Sequence, residues 1–204
     1  MFKCDEDSYE AVVALLSDDG SEYVTRHETE NEHPNYYSRK VGELERQPLT
    51  EFKDPAKSLR EVQKKLITYE RADGVMLNCM LHLPPGYDLE NPLPLPTILW
   101  AYPRAYTLGR MAGQVSNSPY RFSTFAGASP RFLALQGYAV LDQVAMPIVG
   151  DSEMANDTFT EQIVANAEAA IDAVVKMRVC DQQRVGVGGH SSVSYTHLTL
   201  PTKA

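Results

Sequence analysis

Two near-continuous apolar runs, residues 96–102 and 137–141, constrain the fold of this chain more than any other feature. A strand that is apolar on both sides must be covered on both faces, which is typical of parallel strands in α/β domains. The helical pattern of Thr158–Met177 and the short strand Arg184–Gly189 follow the second run. A strand, a long helix and another strand predict a βαβ crossover, so the expected fold class is α/β, with the active edge beyond the last strand.

The predicted helix has one apolar face whose members recur at helical spacing. They are Ile163, Val164, Ala167, Ala170, Ile171, Val174 and Val175. Thr158 and Glu161 match a capping box at its start, and Lys176 and Arg178 suit the negative end of the helix dipole. The face and both ends therefore predict a single helix over this segment.

The start of the chain has a different pattern, with short strand-like segments separated by turn residues. These segments are 11–16, 22–27, 35–41 and 47–52. They predict about four antiparallel strands, which is the content of one blade of a β-propeller. A charged linker extends to residue 63, after which 66–70 and 76–83, joined by a turn at Ala72-Asp73-Gly74, predict another antiparallel pair.

Composition narrows the classes of function. The chain is 43% hydrophobic, which allows a real core, and its net charge of −8 argues against nucleic acid or an anionic membrane as a partner. Its three cysteines are widely spaced and are expected to be small buried hydrophobic residues, not a disulfide framework or a zinc site. Neither a signal peptide nor an apolar run of membrane-spanning length occurs, so the chain is expected to be soluble.

The sequence Gly188-Gly189-His190-Ser191 follows the last predicted strand directly. A nucleophile elbow has the pattern G-x-S-x-G, because small residues let the backbone turn sharply from strand to helix at the serine. The first half of that pattern is present, whereas Val193 stands where the second glycine is expected. Taken alone, the motif is also compatible with an ordinary Gly-Ser turn.

The residues around this motif resemble the prolyl oligopeptidase family of serine peptidases, most closely its glutamyl-peptidase-like branch. The resemblance runs, in the family's order, through Leu83–Tyr87, Leu99–Arg104, Gly137–Asp142, Ala145–Ile148, Asn156–Thr158 and Val187–Ser191. It implies an α/β-hydrolase domain capped by a β-propeller. Residues 1–63 are then expected to be the C-terminal part of the propeller, about one blade with a linker, and 64–191 the N-terminal half of the hydrolase domain.

The resemblance also implies a serine-type peptidase that hydrolyses oligopeptides through an acyl-enzyme, without a cofactor or a metal. Ser191 matches the nucleophile, and Tyr102 matches the tyrosine whose hydroxyl stabilises the oxyanion. The acid and the base of the triad should follow the serine, and they are absent. An esterase or acyl hydrolase with the same elbow, and a non-catalytic binding module, are alternative functions.

The other titratable residues are expected to have roles outside the triad. The histidines without a catalytic assignment are His27, His33, His82, His190 and His197. Asp142 is expected to be a structural hydrogen-bonding residue. Asp151, Glu153 and Asp157 lack the companions of a metal site. The arginines that could pair with an acidic P1 side chain, as the glutamyl branch implies, are Arg104, Arg110 and Arg121.

The end of the sequence has neither the small residues nor the helical period that should support an elbow serine. Residues 193–202 coincide with one reading frame of a common sequencing-library adaptor, so 192–204 are predicted to be a non-native tail. The polypeptide is therefore expected to be an inactive fragment of a longer peptidase that ends at the elbow. Its compartment stays open, because the native N-terminus is expected to be missing.

Overall fold

The computed structural model describes residues 4–106, 112, 118–151, 153 and 155–189. The described residues form two compact units. One contains those up to Arg60 together with Ser118–Thr124, and the other contains the rest. The sequence-based division into 1–63, 64–191 and 192–204 stays a prediction.

The first unit is built on a four-stranded antiparallel meander in which each strand pairs with the next. The strands are β1 (Ser8–Leu15), β2 (Glu22–Thr29), β3 (Asn35–Lys40) and β4 (Arg46–Pro48). The predicted antiparallel strands are confirmed, and β4 is shorter than expected. Beyond Pro48 the Leu49 N–H still donates to the Tyr36 carbonyl at 2.8 Å, and the Asn35 side chain then binds Phe52, since its Oδ1 accepts the Phe52 N–H at 2.6 Å and its Nδ2 donates to the Phe52 carbonyl at 3.0 Å.

A buried carboxylate joins the strands of the meander. Glu10 on β1 accepts hydrogen bonds from Arg39 Nε at 2.7 Å, from Arg39 Nη2 at 2.8 Å and from the Thr25 hydroxyl. Burial alone would raise the pKa of Glu10, but the hydrogen bonds from Arg39 and Thr25 outweigh it and hold the pKa below its usual value. A fully paired buried charge of this kind stabilises one strand register, because a slip would leave the carboxylate unpaired.

The segment Ser118–Thr124 packs within the first unit although it lies far along the chain. The Phe122 N–H donates to the Glu28 carboxylate at 3.2 Å. The guanidinium of Arg60 lies 3.9 Å from the centre of the Phe122 ring. A backbone hydrogen bond and a cation–π contact therefore hold this segment against the meander.

The second unit contains a mixed five-stranded sheet with the strand order β5-β6-β8-β7-β9. Its strands are β5 (Gln63–Glu70), β6 (Met76–Leu83), β7 (Leu95–Tyr106), β8 (Ala139–Val149) and β9 (Cys180–Gly189). β5, β6 and β8 pair antiparallel, whereas β7 pairs in parallel with both β8 and β9. The parallel strands expected from the apolar runs are thus confirmed, and both are longer than the runs themselves.

Helix α1 (Phe159–Lys176) connects β8 to β9 and packs on the sheet. Shorter 3₁₀ helices occupy Lys57–Glu61, Pro130–Gln136 and Ala155–Thr158. The long helix is confirmed, but the prediction was wrong in two details. The fully buried residues of α1 are Asn166, Ala170 and Val174, whereas Val164 is exposed because the helical turn carries it away from the sheet. The Thr158 side chain does not cap the helix, and its hydroxyl instead accepts from Gln162 Nε2 at 3.0 Å.

The core of the second unit lies between α1 and the sheet. Its largest fully buried side chains include Leu77, Leu81, Leu83, Leu99, Leu141, Val174 and Val179. Cys4 is only half-buried, so the prediction was wrong for this cysteine. Cys79 and Cys180 are buried as predicted, and burial raises the pKa of the Cys79 thiol to about 12. These cysteines are therefore packed hydrophobic residues with little thiolate character.

His82 on β6 is a buried polar side chain, only 2% exposed. Neither of its ring nitrogens has a hydrogen-bond partner among the described residues. Its Nε2 lies 3.8 Å from Asp142 Oδ2, which is too long for a hydrogen bond, and that carboxylate accepts instead from Arg131 Nε at 2.8 Å. Burial, together with the positive charges of Arg131 and Lys64, lowers the pKa of His82 to about 3. His82 is therefore neutral at neutral pH.

We expect the substitution His82→Leu to flatten the pH dependence of stability below about pH 6.5. The unfolded chain protonates this histidine near pH 6.5, whereas the folded chain keeps it neutral down to about pH 3. Between these values His82 should lower the free energy of unfolding by about 1.4 kcal/mol per pH unit as the pH falls. Denaturant unfolding followed by the fluorescence of the single tryptophan, Trp100, measures this slope. Equal slopes in the wild type and the variant would contradict the expectation.

Candidate active site at the carboxyl edge of the sheet

The carboxyl ends of β7, β8 and β9 lie at one edge of the parallel part of the sheet. Tyr102 of β7 is in register with Ala145 of β8, and Ala101 is in register with Gly189, the last residue of β9. The chain therefore leaves β9 beside the position of Tyr102, and Ser191 follows two residues later in sequence. In open α/β sheets this is the edge at which ligands bind.

Tyr102 is placed at that edge with an accessible side chain, 48% exposed. Its hydroxyl makes no hydrogen bond within the part of the chain that the structure describes. A phenol at this position can donate to a developing negative charge on a substrate. The predicted nucleophile Ser191 lies outside the described residues, as do His190, His197 and the tail 192–204.

β7 and β9 approach each other closely along the last residues of β9. Gly186 and Gly188 of β9 are in register with Ile98 and Trp100 of β7. A Cβ atom on Gly188 would lie 2.6 Å from Trp100 Cε3, and one on Gly186 would lie 2.8 Å from Ile98 Cδ1. Side chains of β7 thus occupy the space that residues other than glycine would need on β9. These glycines are required by packing, in addition to any role in a turn.

The carboxyl end of β8 extends beyond the point where β6 pairs with it. In the described residues β6 pairs with positions 140–142, and a register shift follows where Gln143 adopts a positive φ of 53°. The Asp142 carboxylate accepts the Gln143 N–H at 2.9 Å and thereby supports this bulge. Asp142 is thus the structural hydrogen-bonding residue that was predicted.

At that end of β8, side chains of α1 make the hydrogen bonds that a neighbouring strand would otherwise make. Gln162 Oε1 accepts the Val149 N–H at 2.8 Å, and its Nε2 donates to the Val149 carbonyl at 2.9 Å. One helical turn later, Asn166 Nδ2 donates to the Pro147 carbonyl at 3.0 Å. The two amides thus satisfy backbone groups of β8 that no strand among the described residues reaches.

Arg71, in the turn between β5 and β6, extends this hydrogen-bond network by binding the Asn166 amide. Its Nη1 donates to Asn166 Oδ1 at 2.8 Å. Its Nε and Nη2 donate to the two oxygens of Asp73 at 2.8 and 2.7 Å, and this pairing lowers the pKa of Asp73. The sequence predicted the turn at Asp73 but missed the roles of Arg71, Gln162 and Asn166. The available signal was a pair of amide side chains one turn apart on a largely apolar helix.

The arginines proposed to meet an acidic side chain occupy different environments. Arg121 lies over the Tyr9 ring at 4.6 Å, and its Nε is 3.6 Å from the Glu28 carboxylate, so its charge already faces an acidic partner. Arg104 is exposed near the carboxyl end of β7. Arg110 lies outside the described residues. Arg104 is therefore the described arginine placed nearest in sequence to Tyr102.

The acidic residues Asp151, Glu153 and Asp157 do not form a metal site with other side chains in the described part of the chain. There, no group of three or more His, Cys, Asp or Glu side chains is arranged to hold a metal ion. Asp151 accepts the Glu153 N–H at 3.0 Å. None of the helices described has the length and hydropathy needed to cross a membrane.

Comparison with known proteins relates the chain to peptidases, although no family model matches it. It is 39% identical over 204 residues to a rice protein named "Probable glutamyl endopeptidase, chloroplastic" and 37% identical over 210 residues to the protein of the same name from Arabidopsis thaliana. These alignments include 96% and 98% of this chain. The chain spans 22% of the length of each relative.

Solved structures share its fold. Dipeptidyl peptidase 4 from Porphyromonas gingivalis superposes with a TM-score of 0.61 at 18% identity, over 93% of this chain and 26% of that structure. Oligopeptidase B from Trypanosoma brucei superposes with a TM-score of 0.56 at 16% identity, over 94% of this chain and 26% of that structure. The sequence relatives and the structural neighbours therefore agree with the resemblance predicted from the motifs.

We expect Gly188→Ala to destabilise the second unit by roughly 1–3 kcal/mol, because the new methyl group would displace the rigid indole of Trp100. The matched control is Gly186→Ala, whose methyl group meets the flexible end of Ile98 and should cost less. Denaturant unfolding gives both values, and the emission maximum of Trp100 reports displacement of the indole. Equal costs in the two variants, with an unchanged emission maximum, would refute the packing explanation.

Proposed function

The chain belongs to the prolyl oligopeptidase family of peptidases, and we propose that it supplies the nucleophile and the oxyanion side of a serine-peptidase active site. The substrates are oligopeptides, and the activity is that of the whole protein. One observation carries the proposal. The pairing of Ala101 with Gly189 brings Tyr102 to the sheet edge at which the Gly189-His190-Ser191 sequence begins.

In the proposed reaction the Ser191 hydroxyl attacks the scissile carbonyl while a histidine accepts its proton. The Tyr102 hydroxyl donates to the oxygen that becomes negatively charged in the tetrahedral intermediate. The C–N bond then breaks, the protonated histidine gives its proton to the leaving amine, and an acyl-enzyme remains on Ser191. Water attacks the ester in a second, equivalent step and releases the acid.

The histidine base is proposed to come from outside the described residues. Among the described residues of the second unit, His82 is the only histidine. It pairs in register with Val140 at the beginning of β8, away from the carboxyl edge of the sheet. Its burial and low pKa also make it a poor proton acceptor. Because the acid and the base that the resemblance implies after Ser191 are absent from the sequence, we expect the 204-residue chain by itself to hydrolyse no peptides.

The first unit is proposed to be one blade of a β-propeller. Its four strands pair in sequence order, as the strands of a blade do. A preference for acidic P1 side chains is proposed from the resemblance to the glutamyl branch. Among the described arginines, exposed Arg104 near the carboxyl end of β7 is the candidate partner for that carboxylate.

The nucleophile assignment is tested by labelling the whole protein with a fluorophosphonate. We expect labelling and peptide turnover in the wild type, and neither in Ser191→Ala. Comparing peptides with Glu, Ala or Pro at P1, in the wild type and in Arg104→Ala, tests the substrate class. Turnover of ester substrates without peptide turnover would select an esterase, and labelling that persists in Ser191→Ala would place the nucleophile elsewhere.

We expect Tyr102→Phe to lower kcat about 100-fold while KM changes little, because the lost donor acts on the transition state. The same assay of the whole protein should find Tyr120→Phe active, since Tyr120 is an exposed tyrosine in the β7–β8 connection, outside β7. A fall in kcat of less than threefold in Tyr102→Phe would remove Tyr102 from the oxyanion site.

A further inference from the structure

We propose that Gln162 and Asn166 are positioning residues for the reaction. Their amides act as a substitute strand that fixes the carboxyl ends of β8 and β7, and so fixes Tyr102. This inference rests on the proposed function. Neither residue touches the substrate in this proposal, and each acts through the backbone of β8.

Side chains of α1 satisfy the backbone groups at the carboxyl end of β8. The partner strand β6 covers β8 over positions 140–142, and the bulge at Gln143 separates the two strands beyond it. Gln162 then binds both backbone groups of Val149, and Asn166 binds the carbonyl of Pro147. Alternate residues of one strand edge are thus bonded, as they would be by a neighbouring strand.

The Asn166 amide is itself held in place by further hydrogen bonds. Asn166 is fully buried, and its Oδ1 accepts from Arg71. Arg71 is in turn oriented by two hydrogen bonds to Asp73. Side chains whose rotamers are fixed by further bonds can impose a backbone position, whereas free surface amides cannot.

The carboxyl end of β8 is connected to the candidate site through its pairing with β7, the strand that carries Tyr102. β8 pairs in parallel with β7 at Tyr102–Ala145, Arg104–Pro147 and Tyr106–Val149. In contrast, the pairing of β9 with β7 ends at Ala101. From Tyr102 onward, β8 is therefore the strand of the described sheet that holds β7 in place. If Gln162 releases Val149, the segment that carries Tyr102 loses its support on that side.

The experiment compares Gln162→Ala with Glu168→Ala, an exposed residue of the same helix that makes no hydrogen bond to β8 in the described structure. In the 204-residue chain, the Val149 amide should exchange hydrogen at least tenfold faster in Gln162→Ala and at the wild-type rate in Glu168→Ala. In the whole protein, Gln162→Ala should lower kcat roughly 10- to 100-fold with little change in KM. Glu168→Ala should keep the wild-type kcat.

A conservative variant separates positioning from general stability. Gln162→Glu keeps the acceptor for the Val149 N–H, but its ionised carboxylate cannot donate to the Val149 carbonyl. Protonation restores that donor. The kcat of Gln162→Glu relative to the wild type should therefore be low at pH 8 and rise as the pH falls toward the pKa of the new carboxyl group, about 4.3 for an ordinary glutamate. The assay is run below the melting temperatures of both proteins, measured at each pH, so that a loss of stability alone cannot produce this recovery.

The outcomes are distinguishable. Faster exchange at Val149 with an unchanged kcat overturns the positioning role. Exchange that stays slow in Gln162→Ala overturns the substitute strand itself. A wild-type whole protein that cleaves no peptide overturns the proposed function, and with it the role of Gln162 in that reaction. The exchange measurement still decides whether Gln162 holds the end of β8.

Discussion

The parallel pairing of β7 with both β8 and β9 is the interaction on which the second unit depends. It places a central strand between two neighbours whose carboxyl ends point the same way, so residues far apart in sequence come to one edge. It also requires close contact between strands, which explains why Gly188 lies under Trp100. The packing of the sheet and the placement of Tyr102 therefore have the same cause.

The two neighbours of β7 support it in different ways. β9 pairs with the first half of β7 through the backbone, up to Ala101, while β8 also pairs with the second half of β7. The free side of β8 is then completed by side chains of α1 instead of a strand. Because buried backbone groups must be satisfied, polar residues are retained on a helix face that would otherwise be apolar. Asn166, Ala170 and Val174 are the buried residues of α1, and the first of them makes hydrogen bonds where the other two pack as apolar side chains.

Local patterns in the sequence were sufficient to predict the strands, the long helix and the turn at Asp73, because hydrophobic period and turn chemistry depend on neighbouring residues. They were insufficient where a partner lies far away in the chain. Thr158 matched a capping box, but Gln162 engages its hydroxyl, and the contact of Arg71 with Asn166 spans 95 residues. The prediction of Tyr102 came from resemblance, since no periodicity distinguishes a catalytic tyrosine from a packed one.

The attachment of Ser118–Thr124 to the meander has a consequence for how the molecule is made. The hydrogen bond from Phe122 to Glu28 spans 94 residues, and the one from Arg60 to Ser123 spans 63. During synthesis the meander strands emerge first, yet the buried carboxylate of Glu28 receives this donor only after β7 has also left the ribosome. The first unit is therefore completed late, and its folding is interleaved with that of the second instead of preceding it.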